Sequence, residues 1–181
     1  VDLSLHVRDI TNLIQWEELT DIVLVGHSYS GMVVSGVAEK VSEGTIRSIV
    51  FLDAFLPEDG QSLSDIASNF KDLAGDHDPV PAPVFFAGGN EALMAILEKK
   101  AAPHPRACFE EPVTLTGPRE RIAVKTYVLA RGPVFEPFFD KVKDDPSWRA
   151  EKIATGHFPM LEAPEETAAV LLRAGKRARA A

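Results

Sequence analysis

Cysteine is almost missing from this chain. Cys108 is the single one in 181 residues, so no disulfide can close within the chain and a reducing compartment, the cytoplasm, is the expected setting. A lone thiol serves some enzymes as a nucleophile, but Arg106-Ala107-Cys108-Phe109 has no tight strand-to-helix turn to present one, so Cys108 reads as a packing residue. Positive charge is also in deficit. The 19 Lys and Arg face 27 Asp and Glu, a formal net charge of −8, which argues against nucleic acid as a partner. The basic run Arg173-Ala174-Gly175-Lys176-Arg177-Ala178-Arg179 is the exception, and it reads as the end of a helix whose cations complement the dipole. No apolar run approaches the ~20 residues of a membrane span, so no membrane is expected. Val1-Asp2-Leu3-Ser4 shows neither an initiator Met nor the basic and apolar segments of a signal peptide. The missing Met reads as a chain that starts partway through a protein. The 45% hydrophobic content suits one globular domain.

Against this background, Ile22-Val23-Leu24-Val25-Gly26-His27-Ser28-Tyr29-Ser30-Gly31 stands out. Four apolar residues, three of them β-branched, predict a buried strand. Met32-Val33-Val34-Ser35-Gly36-Val37-Ala38 predicts the helix that follows. A serine between them sits at the apex of a strand-turn-helix, the form of a nucleophile elbow. The usual pattern is G-x-S-x-G. Here Ser30 fills the last slot and Gly31 comes next, a departure that keeps the turn small.

The rest of the chain alternates in kind. Leu3, Val7, Ile10, Leu13, Ile14 and Trp16 have the 3-4 spacing of an amphipathic helix over Leu3–Leu19. Tyr29–Val41 is read as the helix after the elbow. Ile46–Leu52 is read as a second buried strand, ending in an Asp53–Gly60 loop. Residues from about 61 to 119 have a different texture. Two predicted helices, Ser62–Leu73 and Asn90–Lys100, are separated by Asp78-Pro79-Val80-Pro81-Ala82-Pro83, and no strand pattern appears. This segment reads as a cap inserted between core portions 1–60 and 120–181. The core resumes with a strand at Ile122–Ala130, a helix at Val134–Val142, a strand at Arg149–Ala154, a Thr155-Gly156-His157 loop and a helix at Pro164–Ala174. The fold class is α/β with a parallel sheet flanked by helices and a mostly helical cap after the second strand.

A serine hydroxyl needs a general base, a group to orient that base, and donors for the oxyanion. His157 is the candidate base, because its loop opens on the same strand-end edge as Ser28. His6 on the first helix, His27 beside the serine, and His77 and His104 in the cap rank below it. The acid must lie between Ser28 and His157. The strand ending at Ala130 is followed by Arg131-Gly132-Pro133-Val134-Phe135-Glu136, with no carboxylate at its end, whereas Asp53 ends the preceding core strand. Asp53 is preferred and Glu136 is the alternative. The backbone N–H of Tyr29 is the expected oxyanion donor. Asp76-His77-Asp78 is the densest metal-ligand run, but adjacent residues on a proline-bounded loop rarely close a site, so no metal is expected. Gly88-Gly89-Asn90 follows no core strand, so no nucleotide is expected, and no cofactor is called for.

Three separated segments carry a resemblance. Gly26-His27-Ser28-Tyr29-Ser30-Gly31-Met32-Val33, Phe51-Leu52-Asp53-Ala54-Phe55-Leu56-Pro57 and Gly156-His157-Phe158-Pro159-Met160-Leu161 together resemble the α/β-hydrolase superfamily, most of all bacterial relatives of the plant methylesterase and hydroxynitrile lyase group. The resemblance implies an eight-stranded sheet with a cap after the sixth strand and a cofactor-free serine mechanism on a small-molecule ester. The chain then corresponds to the C-terminal portion of that fold. The family's first four strands, and the loop supplying a second oxyanion donor, would precede Val1, so a nearly inactive chain and an unpaired edge at Ile22–Val25 are expected. In the plant group the acid follows the seventh strand, and this chain departs there. Hydrolysis of a small carboxylic ester through an acyl-enzyme is the expected reaction. Cyanohydrin cleavage and non-catalytic ligand binding are the alternatives. Phe70, Phe85, Phe86, Met94 and Phe109 are read either as an apolar substrate pocket or as ordinary cap core.

Overall fold

Three of the four described strands follow apolar runs, and the fourth, Trp148–Lys152, is largely charged. A computed structural model describes residues 1–67 and 70–176. Its sheet is parallel, with strand order β1 (Ile22–Ser28), β2 (Ile46–Ala54), β3 (Val124–Leu129), β4 (Trp148–Lys152). β2 is buried at every position but Arg47, and β3 at every position. Such continuous burial belongs to parallel strands covered on both faces. Side chains alternate between two layers. Ile49, Phe51, Tyr127 and Leu129 face α1 (Leu3–Trp16), α2 (Ser30–Ala38) and α7 (Glu136–Val142). Val50, Leu52 and Val128 face α9 (Pro164–Ala174), with Val170 and Ala174 closing that side.

α1 starts at Asp2, whose carboxylate accepts the Leu5 N–H at 2.9 Å, and buries Leu3, Val7, Thr11 and Ile14. It stops at Trp16 rather than Leu19, because Glu18 takes a positive φ of 50°. Leu13 and Trp16, expected on the apolar stripe, are exposed: the buried line runs one position away from them. α2 is buried from Gly31 through Ala38, as befits a helix enclosed on all sides.

The segment between β2 and β3 differs from its expected form in two places. The helix expected over Ser62–Leu73 is interrupted. α3 (Leu63–Ile66) has a Ser62/Asp65 capping box but ends at Ala67, whose extended ψ of 96° leaves the helix, and α4 (Phe70–Ala74) starts afresh. Residues 68 and 69 lie outside the described residues. The proline-rich stretch makes a strand-like contact after all, an antiparallel bridge in which Val80 and His104 exchange N–H···O bonds of 2.8 Å. α5 (Glu91–Lys100) is capped by Asn90, and α6 (Ala107–Glu110) follows the bridge. Leu63, Phe70, Val80 and Val113 of this segment share one core with Leu3, Val7 and Met32. After β4 comes a short α8 (Pro159–Glu162), and α9 begins at the expected Pro164. Arg177 and Arg179 of the basic run lie outside the described residues. Among the described residues no helix is long and apolar enough to cross a membrane.

Candidate active site

β1 ends at Ser28 and α2 starts two residues later, so the chain reverses within a single turn. Ser28 takes that turn with φ +54°, a left-handed conformation that costs a residue with a Cβ, of the kind found at functional sites. The turn depends on two glycines. A Cβ on Gly26 would lie 2.7 Å from the Ser30 carbonyl oxygen, and one on Gly31 would lie 2.0 Å from that of Phe55. The close approach is therefore at Gly31, so Ser30 is accommodated in the slot where the usual motif has glycine.

Asp53 occupies an irregularity of its own. His27 pairs with Leu52, but Ser28 pairs with Ala54, so Asp53 is the extra residue of a bulge in β2. Its φ is +44°. A bulge re-aims the side chain it carries. Here the carboxylate turns along the strand-end edge of the sheet, where Oδ1 accepts the Ala130 N–H at 2.9 Å beyond β3. Oδ2 lies 2.7 Å from Nδ1 of His157, and both side chains are buried.

His157 comes from the loop after β4. That loop is fixed by the Arg131 N–H bond to the Thr155 carbonyl, 2.8 Å, and by Glu162, whose carboxylate accepts the Gly156 N–H at 2.9 Å. With Asp53 accepting from Nδ1–H, Nε2 is left bare. It lies 2.9 Å from Ser28 Oγ. The structure thus brings Ser28, His157 and Asp53 into one hydrogen-bonded line. It does not bring Glu136 there: that residue opens α7 and is exposed. Tyr29 caps α2, so its amide is among the helix-start N–H groups that lack an intrahelical acceptor.

Sequence reasoning missed the company these residues keep. His27 Nε2 donates to the His157 carbonyl oxygen at 2.6 Å, and the two rings lie 4.6 Å apart. Burial, followed by the nearby His157, lowers the His27 pKa from 6.5 to about 4. The ring is neutral and holds the His157 backbone in place. The His157 ring also stacks on Phe135 at 4.9 Å and meets Phe86 at 4.2 Å. Of the cap aromatics read either as pocket or as core, Phe86 reaches the site. Phe70 and Phe109 pack on each other, and Phe85 is exposed. No residue spacing announces these contacts, because they join segments far apart in the chain.

His6, His104 and Cys108 form a second cluster. His6 Nδ1 lies 3.0 Å from the Tyr29 hydroxyl, and Cys108 is fully buried. Burial raises the pKa of the Tyr29 phenol well above its usual value. His77, by contrast, is exposed, and the Asp78 carboxylate is engaged in capping the Arg106 N–H.

The model of the alpha/beta hydrolase family matches residues 1–170. This chain belongs to that family. As an α/β-hydrolase it is 34% identical to a carbendazim hydrolyzing esterase of Nocardioides sp. (strain SG-4G), over 97% of its own length and 80% of the relative's. Among solved structures, an extracellular α/β-hydrolase from a Paenibacillus species superposes with a TM-score of 0.78 at 25% identity, covering 97% of this chain and 81% of that one. A methylesterase from Arabidopsis matches with a TM-score of 0.69 at 18% identity, over 96% and 77% of the two chains, a likeness of fold.

Proposed function

We propose that this α/β-hydrolase is a cofactor-free serine esterase acting on small carboxylic esters. The observation that carries the reading is the unbroken line from Ser28 Oγ through the His157 ring to Asp53, with bonds of 2.9 and 2.7 Å. In the first half-reaction Ser28 Oγ attacks the ester carbonyl while its proton passes to His157 Nε2. Asp53 keeps Nδ1–H in place and offsets the imidazolium charge. The Tyr29 amide donates to the oxyanion. The alcohol leaves with the proton from His157, and water then repeats the sequence on the acyl-serine. Phe86 and Phe135 shield the imidazole, and the half-buried Phe86 presents apolar surface to the substrate. The relative named as a carbendazim hydrolyzing esterase supports ester chemistry. Cyanohydrin cleavage is the weaker reading, because the relative at 34% identity is named as an esterase.

A panel of short-chain p-nitrophenyl and methyl aryl esters tests the proposal. Release of alcohol that disappears in Ser28→Ala is the expected result. Hydrolysis that survives in Ser28→Ala at the wild-type rate would refute it.

A further inference from the structure

We propose that His6, His104 and Cys108 form a binding site for a zinc-class metal ion that clips the inserted cap to α1. The ligand atoms of the three side chains all lie within 4.8 Å of one another. Metal bonds of about 2.0 Å to nitrogen and 2.3 Å to sulfur put tetrahedral ligand atoms roughly 3.3–3.6 Å apart. Closure therefore asks the widest pair to approach by about 1 Å, within reach of side-chain rotation. The three residues come from three places. His6 is on α1, His104 is in the bridge with Val80, and Cys108 is in α6.

Two further observations favour an ion over simple packing. His104 Nε2 is shut off from solvent with no hydrogen-bond partner, and a buried polar atom left unpaired is costly. His6 Nδ1 is already engaged with the Tyr29 hydroxyl at 3.0 Å. That leaves His6 Nε2 for a metal, with Nδ1–H donating to an oxygen behind it, the usual orienting arrangement of a metal-bound histidine. Two imidazoles and a thiolate form a borderline-to-soft donor set. It suits Zn²⁺ or Co²⁺ and is poorly matched to Mg²⁺ or Ca²⁺. On binding, the Cys108 S–H proton leaves to solvent and an S–metal bond replaces it. Three protein ligands leave a fourth position for water. The site is separate from Ser28, His157 and Asp53, and it stands whether or not they act as an esterase.

The test uses metal-free protein. Titration with Co²⁺ should give a sulfur-to-cobalt charge-transfer band at one ion per chain, and Zn²⁺ should displace it. Zn²⁺ should also raise the melting temperature. Cys108→Ser should abolish the band. Cys108→Ser and His104→Gln should each weaken Zn²⁺ by more than the roughly 10–100-fold that loss of an outer-shell partner costs. His77→Gln should leave binding unchanged. Should the buried Cys108 variant fail to fold, His6→Gln, at a half-buried position of α1, carries the same expectation of weakened Zn²⁺ binding. Zn²⁺ far below one per chain, or wild-type affinity in folded His6→Gln or His104→Gln, would overturn the proposal.

Discussion

His27 shows how much a single buried imidazole determines. Its pKa of about 4 in the folded chain, against 6.5 when unfolded, means that between those pH values the unfolded state binds more protons. Stability therefore rises with pH across this window and is lost as pH falls from 6.5 toward 4, by roughly 3 kcal/mol in all. Urea unfolding from pH 4.5 to 8 should show a steeper pH dependence for wild type than for His27→Gln, whose curve lacks this contribution. Because His27 anchors the His157 carbonyl, His27→Gln should also lower kcat more than it changes KM. The acid has a sharper test. Asp53→Asn leaves the shape of the site but holds His157 in the wrong tautomer, so kcat should fall by about 10³–10⁴-fold, while Glu136→Gln stays near wild type. The reverse ranking in steady-state rates would show that the acid is misassigned. Ser28, Asp53 and His157 were legible in the sequence because each ends a predicted strand or its following loop. His27 was not, because its partner lies 130 residues away, in a loop whose path only tertiary packing sets.

At the scale of elements, two irregular points lie at the ends of β1 and β2. The elbow at Ser28 and the bulge at Asp53 carry positive φ side by side, and each aims a side chain along the strand-end edge. The strand-turn-helix could be read from its apolar run and glycines. The bulge could not, because Asp53 read as the start of a loop, whereas the strand runs on through it to Ala54. Nor could the interruption at Ala67, since Ser62–Leu73 has a helical composition that the packing of the cap overrides. The glycine that matters is also displaced from the motif. Gly31→Ala should cost about 1–3 kcal/mol through its clash with the Phe55 carbonyl, whereas Ser30→Gly should cost no more than the propensity difference of about 1 kcal/mol. Thermal melts of the two variants decide between these positions, and equal losses would contradict the packing described.

For the whole molecule, the alternating order of strands and helices foretold a parallel sheet, and the long proline-broken segment foretold a cap. What joins the two was hidden: Phe86 on His157, and a core shared by Val7, Met32, Val80 and Val113. β1 stands at one edge of the described sheet with Val25 partly exposed, and an uncovered edge invites pairing with another chain. Sedimentation should show self-association of the 181-residue chain that Val25→Lys reduces. In the proposed reaction these layers converge on Ser28 as the nucleophile. Intact-mass and peptide mapping after treatment with a fluorophosphonate test it most directly. One adduct is expected, on the peptide containing Ser28, absent in Ser28→Ala and slowed in His157→Gln. No adduct on folded wild-type protein, or an adduct that persists in Ser28→Ala, would contradict it.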